Sequence, residues 1–284
     1  MAVVFFVLTS AIAVHAQDKD QQPDPISQKI AALRWEQGGS GAKGSIGSIA
    51  SVGIPGDHGF LGDSDTSKFL QLAGNPPRKD HYLIAPKALS WFAIFNFDET
   101  GYVKDDEKIN ASELLSTIKS SDEAGNKERK RLGLPTIYTE GWAVEPHYEP
   151  STKRLEWGLR LRDEQGQYVV NYTTRLLGRT GVMEATLVTA PETLTKDVAE
   201  FRKVLTGFDY NGGYRYSEFK QGDKVAAYGL AALVLGGAAA VATKKGFWAV
   251  LGGFFAAGWK FIIAAFVALG AGIGKIFKRG KATE

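Results

Sequence analysis

Between Arg154 and Val188 the chain alternates apolar and polar positions. In "RLEWGLRLR" Leu155, Trp157, Leu159 and Leu161 fall on one side and Glu156, Arg160 and Arg162 on the other, the period of a strand with one buried and one wet face. "DEQG" turns the chain, Tyr168, Val170 and Tyr172 continue the pattern, and "GRTG" (Gly178 to Gly181) turns it again into Val182 to Val188. The pattern predicts a three-stranded antiparallel meander. "PETLTKDVAEFRKVLTGF" follows at helical spacing, opened by Pro191, with Leu194, Val198, Phe201 and Leu205 on the face that packs on the sheet.

Upstream, "GSIGSIASVGIPG" reads as short strands or a hairpin bent at its glycines. "SDTSKFLQLAGNPP" predicts a short helix with Ser64 or Asp65 as cap and Gly74 as stop. "HYLIA" (81–85) and "WFAIFNF" (91–97) are strands, the second so apolar that both of its faces should be covered. Asn110 and Glu113 have capping-box spacing and open a helix that buries Ala111, Leu114, Leu115 and Ile118 and stops at Gly133 and Pro135. The fold class expected is α+β, an antiparallel sheet packed with helices, spanning residues 42–208.

Both chain ends break this pattern. Val225 to Thr243 is a run of nineteen residues without a charge, enough at about 1.5 Å per residue to cross a hydrocarbon layer about 30 Å thick. Beyond Lys244 and Lys245 a second apolar arm runs from Phe247 to Gly274, broken by Lys260, and residues 275–284 form a basic tail. The two arms predict a C-terminal transmembrane helical hairpin. A charge such as Lys260 at mid-bilayer is costly, so the second arm either returns across the membrane or lies partly in the interface. Gly229, Gly236 and Gly237 in the first arm and Gly270 and Gly274 in the second give small faces; hairpin packing explains them, and self-association into a homo-oligomer is the sharper reading. Residues 1–16 have the apolar run of a secretory signal, with Val14 and Ala16 where the peptidase reads, although no Lys or Arg precedes the run. Residues 17–41 read as a leader. Residues 209–224, "DYNGGYRYSEFKQGDK", read as a Tyr-rich linker suited to the headgroup zone.

Charge follows the same division. After residue 224 there are seven Lys or Arg and one Glu; subtracting these from 34 basic and 31 acidic residues leaves 27 and 30 in the body. The basicity belongs to the membrane end, and a mildly acidic body argues against a nucleic-acid partner. The absence of cysteine excludes disulfides, thiol nucleophiles and thiolate metal sites.

Candidate chemistry is sparse. "GSGAKG" (Gly39 to Gly44) has the letters of a dinucleotide loop without the strand before it or the helix after it, and no cofactor is expected. No G-x-S-x-G elbow occurs. In "EGWAVEPHYEP" Glu145, His147 and Glu149 would share one side of an extended segment near Glu140, able to hold a divalent ion or move a proton. Pro146 and Pro150 point instead to a solvated turn. The acidic stretch of Asp98, Asp105, Asp106 and Glu107 lacks the spacing of a calcium hand and reads as a hairpin turn leading to a charged helix. Asn171, Arg175 and Arg179 lie on or beside one meander strand. Their forks could dock an anionic partner at an exposed tip, or pair across the sheet with Glu156 or Glu184.

The segments "AGNPP", "WFAIFNFDETGYVKDDEKINA", "EAGNKERKRLG", "GWAVEPHYEPSTKRLEWGL", "NYTTRLLGRTGVMEATLV" and "GDKVAAYGLAALVLGGAAAVA" together resemble the bacterial membrane-anchored family of domain of unknown function 2167. The resemblance runs from about residue 36 to the end and implies an exported domain with a C-terminal membrane segment, carrying no catalytic residues with it. The last meander strand and the helix closing on "LTGFDY" also look like the end of PsbP-type domains, an analogy of fold alone. The expectation is an envelope protein at the bacterial inner membrane, its main domain periplasmic, contacting the lipid bilayer and a protein partner as a non-enzymatic binding or assembly module. The rivals are an envelope enzyme, such as a metal-assisted hydrolase using Glu140 to Glu149, and a pore or transport accessory.

Overall fold

The computed structural model describes residues 25–236. They lie within the first of the two units into which the chain divides, Met1–Gly237. In chain order they form α1 (Pro25–Ala31), β1 (Glu36–Gln37), β2 (Lys43–Ile46), β3 (Ala50–Gly53), β4 (His58–Leu61), α2 (Asp63–Leu72), β5 (His81–Pro86) and β6 (Phe92–Asp98). Then come α3 (Ala111–Arg131), β7 (Ile137–Glu149), β8 (Arg154–Asp163), β9 (Tyr168–Leu177), β10 (Val182–Thr189), α4 (Leu194–Thr206), β11 (Phe208–Tyr210) and α5 (Leu230–Val234). Eight strands make one sheet in the order β1-β4-β5-β6-β10-β9-β8-β7, and β11-β3-β2 make a second. Every strand pair is antiparallel. The fold is α+β, an antiparallel sheet packed with helices.

The large sheet is covered on both faces, so β6, β9 and β10 are buried along nearly their whole length, β6 as an apolar run and β9 and β10 with polar residues among the apolar ones. On one face Phe92, Ile94, Leu155, Trp157, Leu159, Leu161 and Val182 pack with Phe69 and Leu70 of α2 and Leu114 of α3. On the other, Phe95, Tyr172, Leu176, Met183 and Leu187 pack with Val198, Phe201 and Leu205 of α4 and with Ile46 and Val52 of the small sheet. The approach of the small sheet requires Gly44, since a Cβ there would come 2.5 Å from the Phe60 ring.

The meander and the helix after it lie where the alternation puts them. Glu156 does not: the face expected to be wet is covered by α4, and Glu156 is buried. On α2 the N-cap is Gly62, not Ser64 or Asp65; Asp65 is buried and held by Arg34 and Lys68. Asn110 does cap α3, accepting from Glu113 N. Its inward face is shallower than expected, with Leu114 buried and Leu115 and Ile118 partly so. The segment around Pro146 is no turn but the irregular end of β7, whose register with β8 slips at three places.

The folded body extends past the expected boundaries. In the leader, Ile30 is buried and β1 pairs with β4 at one edge of the sheet. The stretch read as a Tyr-rich linker is fastened to the body: β11 pairs with β3, and Tyr210 is buried, donating to Leu176 O and accepting from Met183 N. The Tyr216 ring stacks on Tyr102 with centroids 4.3 Å apart. Tyr216 therefore faces protein, where a headgroup setting was expected.

The first apolar arm also starts inside the body. Lys224 and Ala226 bond to the Tyr102 backbone, and Glu107 accepts from Ala231 N at the start of α5. Leu230, Leu233 and Val234 are buried in the core beside Val103. Among the described residues no helix is long and apolar enough to cross a membrane. With α5 docked, Leu235 to Thr243 leaves nine uncharged residues before Lys244, about 13 Å of helix against about 30 Å of hydrocarbon. A crossing that begins at Val225 is thus incompatible with the docked form. The signal region, Gly237, Lys260, Gly270, Gly274 and the second arm lie outside the described residues.

Candidate functional site

The half-open polar cluster of the body gathers where β7, β8, β9 and α4 meet. Strand pairing sets His147 opposite Glu156 and Glu156 opposite Thr174, and the helical spacing of α4 hangs Arg202 above them. The Glu156 carboxylate accepts from Tyr172 Oη at 2.6 Å, Arg202 Nη2 at 2.6 Å and Thr174 Oγ1 at 3.4 Å. Arg202 Nη2 also reaches Tyr172 Oη at 2.8 Å. His147 Nε2 stands 3.5 Å from Glu156 Oε2, and its Nδ1 lies 3.3 Å from the Glu145 carbonyl. Burial, with the bond to Glu156, pushes the Tyr172 phenol well above its ordinary range. The carboxylate is saturated with donors, and Tyr172 keeps its proton. This arrangement ties α4 to the sheet.

His147 is thus the one member of its predicted trio that joins a cluster. Glu149 folds back to accept from Ser151 N and Oγ, which hold its carboxyl below the usual range. Glu145 is exposed, and Glu140 pairs with Arg162 at 2.6 Å. Among the described residues no three His, Asp or Glu side chains converge as metal ligands.

The docking trio is separated too. Arg175 is buried rather than displayed at a tip: its guanidinium forms ion pairs with Glu184, its cross-strand neighbour, and with Asp98. With His81 and Asn96 these residues form a transverse polar row over β5, β6, β10 and β9. Asn171 is buried directly opposite Leu159 on the neighbouring strand, and its amide makes no hydrogen bond among the described residues. Arg179 grips Asp223 with two bonds of 2.7 Å, which lower the Asp223 carboxyl to about 2. Of the membrane set, Val225 is exposed in a bridge to Tyr102, and a Cβ on Gly229 would strike Glu107.

Two features escaped sequence reasoning. Asp105 accepts from Tyr148 Oη and Lys153 Nζ at 2.7 Å and from Tyr216 Oη at 3.1 Å. Although burial raises its carboxyl, those donors outweigh it and hold the group below its usual range. Beside this hub an open cleft of about 370 Å³ lies between the β7–β8 turn (Ser151 to Arg154), the end of β9, β11 and the Tyr216–Ser217 segment. The available sequence signal was "STKR", a turn with two hydroxyls and two cations.

The family model described as "Protein of unknown function (DUF2167)" matches residues 40–270, and the chain belongs to that family. No curated protein matches the sequence. Among solved structures, the solution structure of cyanobacterial PsbP (CyanoP) from Synechocystis sp. PCC 6803 is similar at 12% identity, covering 60% of this chain and 98% of that one. Its TM-score of 0.33 is too low for the likeness to bear on fold or function.

Proposed function

We propose that the protein is a non-enzymatic binding or assembly module of the bacterial envelope, held at the inner-membrane surface by its C-terminal apolar arms, with the described body on the periplasmic side. The observation that supports it most is the fastening of residues 208–234 to the body by β11, Arg179–Asp223, the Tyr102 backbone bonds and the buried Leu230 and Leu233. A chain that continues into long apolar arms would, through this strap, carry the body on a short firm stem. The bilayer is then one partner and a protein the other, and the small-residue faces of the arms are where copies would associate. Because the strap occupies Val225 to Val234, the spanning segment starts later than that stretch, or α5 undocks when it inserts.

A chain without cysteine allows a clean test. A single cysteine placed at Ser151 in the full chain should react from the periplasmic side with a membrane-impermeant maleimide, and the protein should stay with membranes after a carbonate wash. Release by carbonate removes the anchoring. Labelling only after lysis of the inner membrane puts the body on the other side. The hydrolase reading requires bound metal and a hydrolytic activity that His147→Ala abolishes; both together would replace the binding reading.

A further inference from the structure

Arg154 differs from the arginines around it. Arg175, Arg179, Arg202 and Arg215 each hold a carboxylate. Arg154 has no carboxylate partner among the described residues. Its Nη2 donates to the Leu205 carbonyl at 3.0 Å, near the C-terminal end of α4, and its buried Nε makes no hydrogen bond. A half-buried cation with one of its five donors used on a neutral carbonyl is poorly compensated. It lines the cleft beside the β7–β8 turn.

The rest of the lining does not offset it. Lys153 pairs with Asp105, and Asp209 shares Arg215 with Glu218, so Arg154 is the one Lys, Arg, Asp or Glu of the cleft lining without an ion-pair partner among the described residues. Thr152 and Ser217 add hydroxyls at the rim, where Ser151 Oγ is already given to Glu149, and Leu176 and Phe208 supply an apolar wall. Lys153 has φ of 54°, a left-handed conformation that costs a non-glycine residue and shapes this turn.

From these observations we infer that the cleft is a binding site for a small anionic group, a phosphate or carboxylate, taken by the Arg154 fork and the rim hydroxyls, with any apolar portion of the ligand against Leu176 and Phe208. Arginine suits this task because its planar donors match two oxygens of such a group. A soluble phosphate compound and an anionic lipid headgroup present the same chemistry. One wall of the cleft comes from the Tyr216–Ser217 segment, so an occupant would contact both body and strap. The site stands whether or not the arms insert in a membrane.

The full chain in non-ionic detergent would be titrated with inorganic phosphate by calorimetry, with hydrogen exchange mapped in parallel. Saturable binding is expected, with slower exchange in 151–154 and 208–217. Arg154→Gln should weaken binding at least tenfold. Thr152→Glu should do the same by placing a carboxylate beside the arginine, at an exposed position where folding is not at stake. Arg160→Gln, an exposed arginine stacked on Tyr168 along the same strand, should bind as the parent does. Short-chain phosphatidylglycerol in the same micelles gives the source: tighter binding than phosphate assigns a lipid headgroup, equal or weaker binding a soluble anion. Absence of saturable phosphate binding, or binding that survives both Arg154→Gln and Thr152→Glu, overturns the site.

Discussion

The middle of the large sheet and the strap of residues 208–234 are both tied by arginine–carboxylate pairs, set in opposite surroundings. In the sheet, Arg175 and Glu184 lie opposite each other on adjacent strands, both buried, among apolar side chains on both faces. In the strap, Arg179 and Asp223 meet 44 residues apart in sequence, in a stretch rich in glycine, tyrosine and charge. The sheet gains its stability from apolar burial and must keep its buried pair intact. The strap has little core of its own and depends on the sum of separate ties: a backbone bridge, stacked rings, an ion pair and one docked turn. Contact with charge therefore means different things in the two places. In the sheet it is a liability that has been satisfied, and in the strap it is the fastening itself.

The sharpest way to break the sheet is to open its core. Trp157 is buried between β8 and the α2–α3 side, so Trp157→Ala should cost about 3 to 5 kcal/mol, a large part of the roughly 5 to 15 kcal/mol that holds a typical domain. Urea unfolding would measure it, and a loss below about 1 kcal/mol would mean this face is not a core. Next comes the buried pair. Arg175→Met alone leaves Glu184 charged and uncompensated and should cost about 3 kcal/mol, whereas Arg175→Met with Glu184→Leu should recover most of that. A double variant as unstable as the single one would show that the row with His81 and Asn96 needs its charges. Smaller again is Tyr172→Phe, which removes one bond to a carboxylate that keeps Arg202 and should cost about 1 to 2 kcal/mol.

The same contrast explains what could be read from the chain alone. Period-two alternation exposed β8 and β9, apolar content revealed β6 as doubly covered, and 3.6-residue spacing placed the inward face of α4. These are local signals, and a strand or helix announces itself within a few residues. The polar part of the strap, residues 209–224, gave none. Tyr216 Oη bonds to Val103 O across 113 residues, and Asp223 finds Arg179 across a turn that only the finished meander positions. Polar, glycine-rich composition is equally that of a linker, so its reading as one followed from composition alone. Glu156 was misplaced for a related reason: alternation tells which residues share a face, but not whether a later helix covers it, whereas Arg175 took one of the two settings the chain offered, pairing across the sheet with Glu184. His147 was found by chemistry, and its true neighbours, Glu156, Tyr172 and Arg202, come from strands and a helix that no motif joins.

The smallest effect concerns the strap and is best seen as a response to acid. Asp223 accepts two bonds from Arg179 and one from Lys220 N, and its carboxyl is lowered from an ordinary 3.8 to about 2. A group depressed in the folded state contributes stability that is fully present above its unfolded value and lost as pH falls through its folded one. The tie is therefore constant at neutral pH and weakens between about pH 4 and pH 2. The pair is close to solvent, so its loss should scarcely move global unfolding, which the sheet governs. It should instead raise amide exchange and protease cutting within residues 209–224 several-fold, while β8 to β10 stay protected. Asp223→Asn should show the faster exchange already at pH 7 and lose the acid step. If that variant instead unfolds the whole body together, the strap and the sheet are one cooperative unit and the distinction between them disappears. If exchange in 209–224 is unchanged in the variant, the Tyr102–Tyr216 stack and β11 hold the strap without the ion pair, and the fastening is aromatic and backbone-made rather than electrostatic.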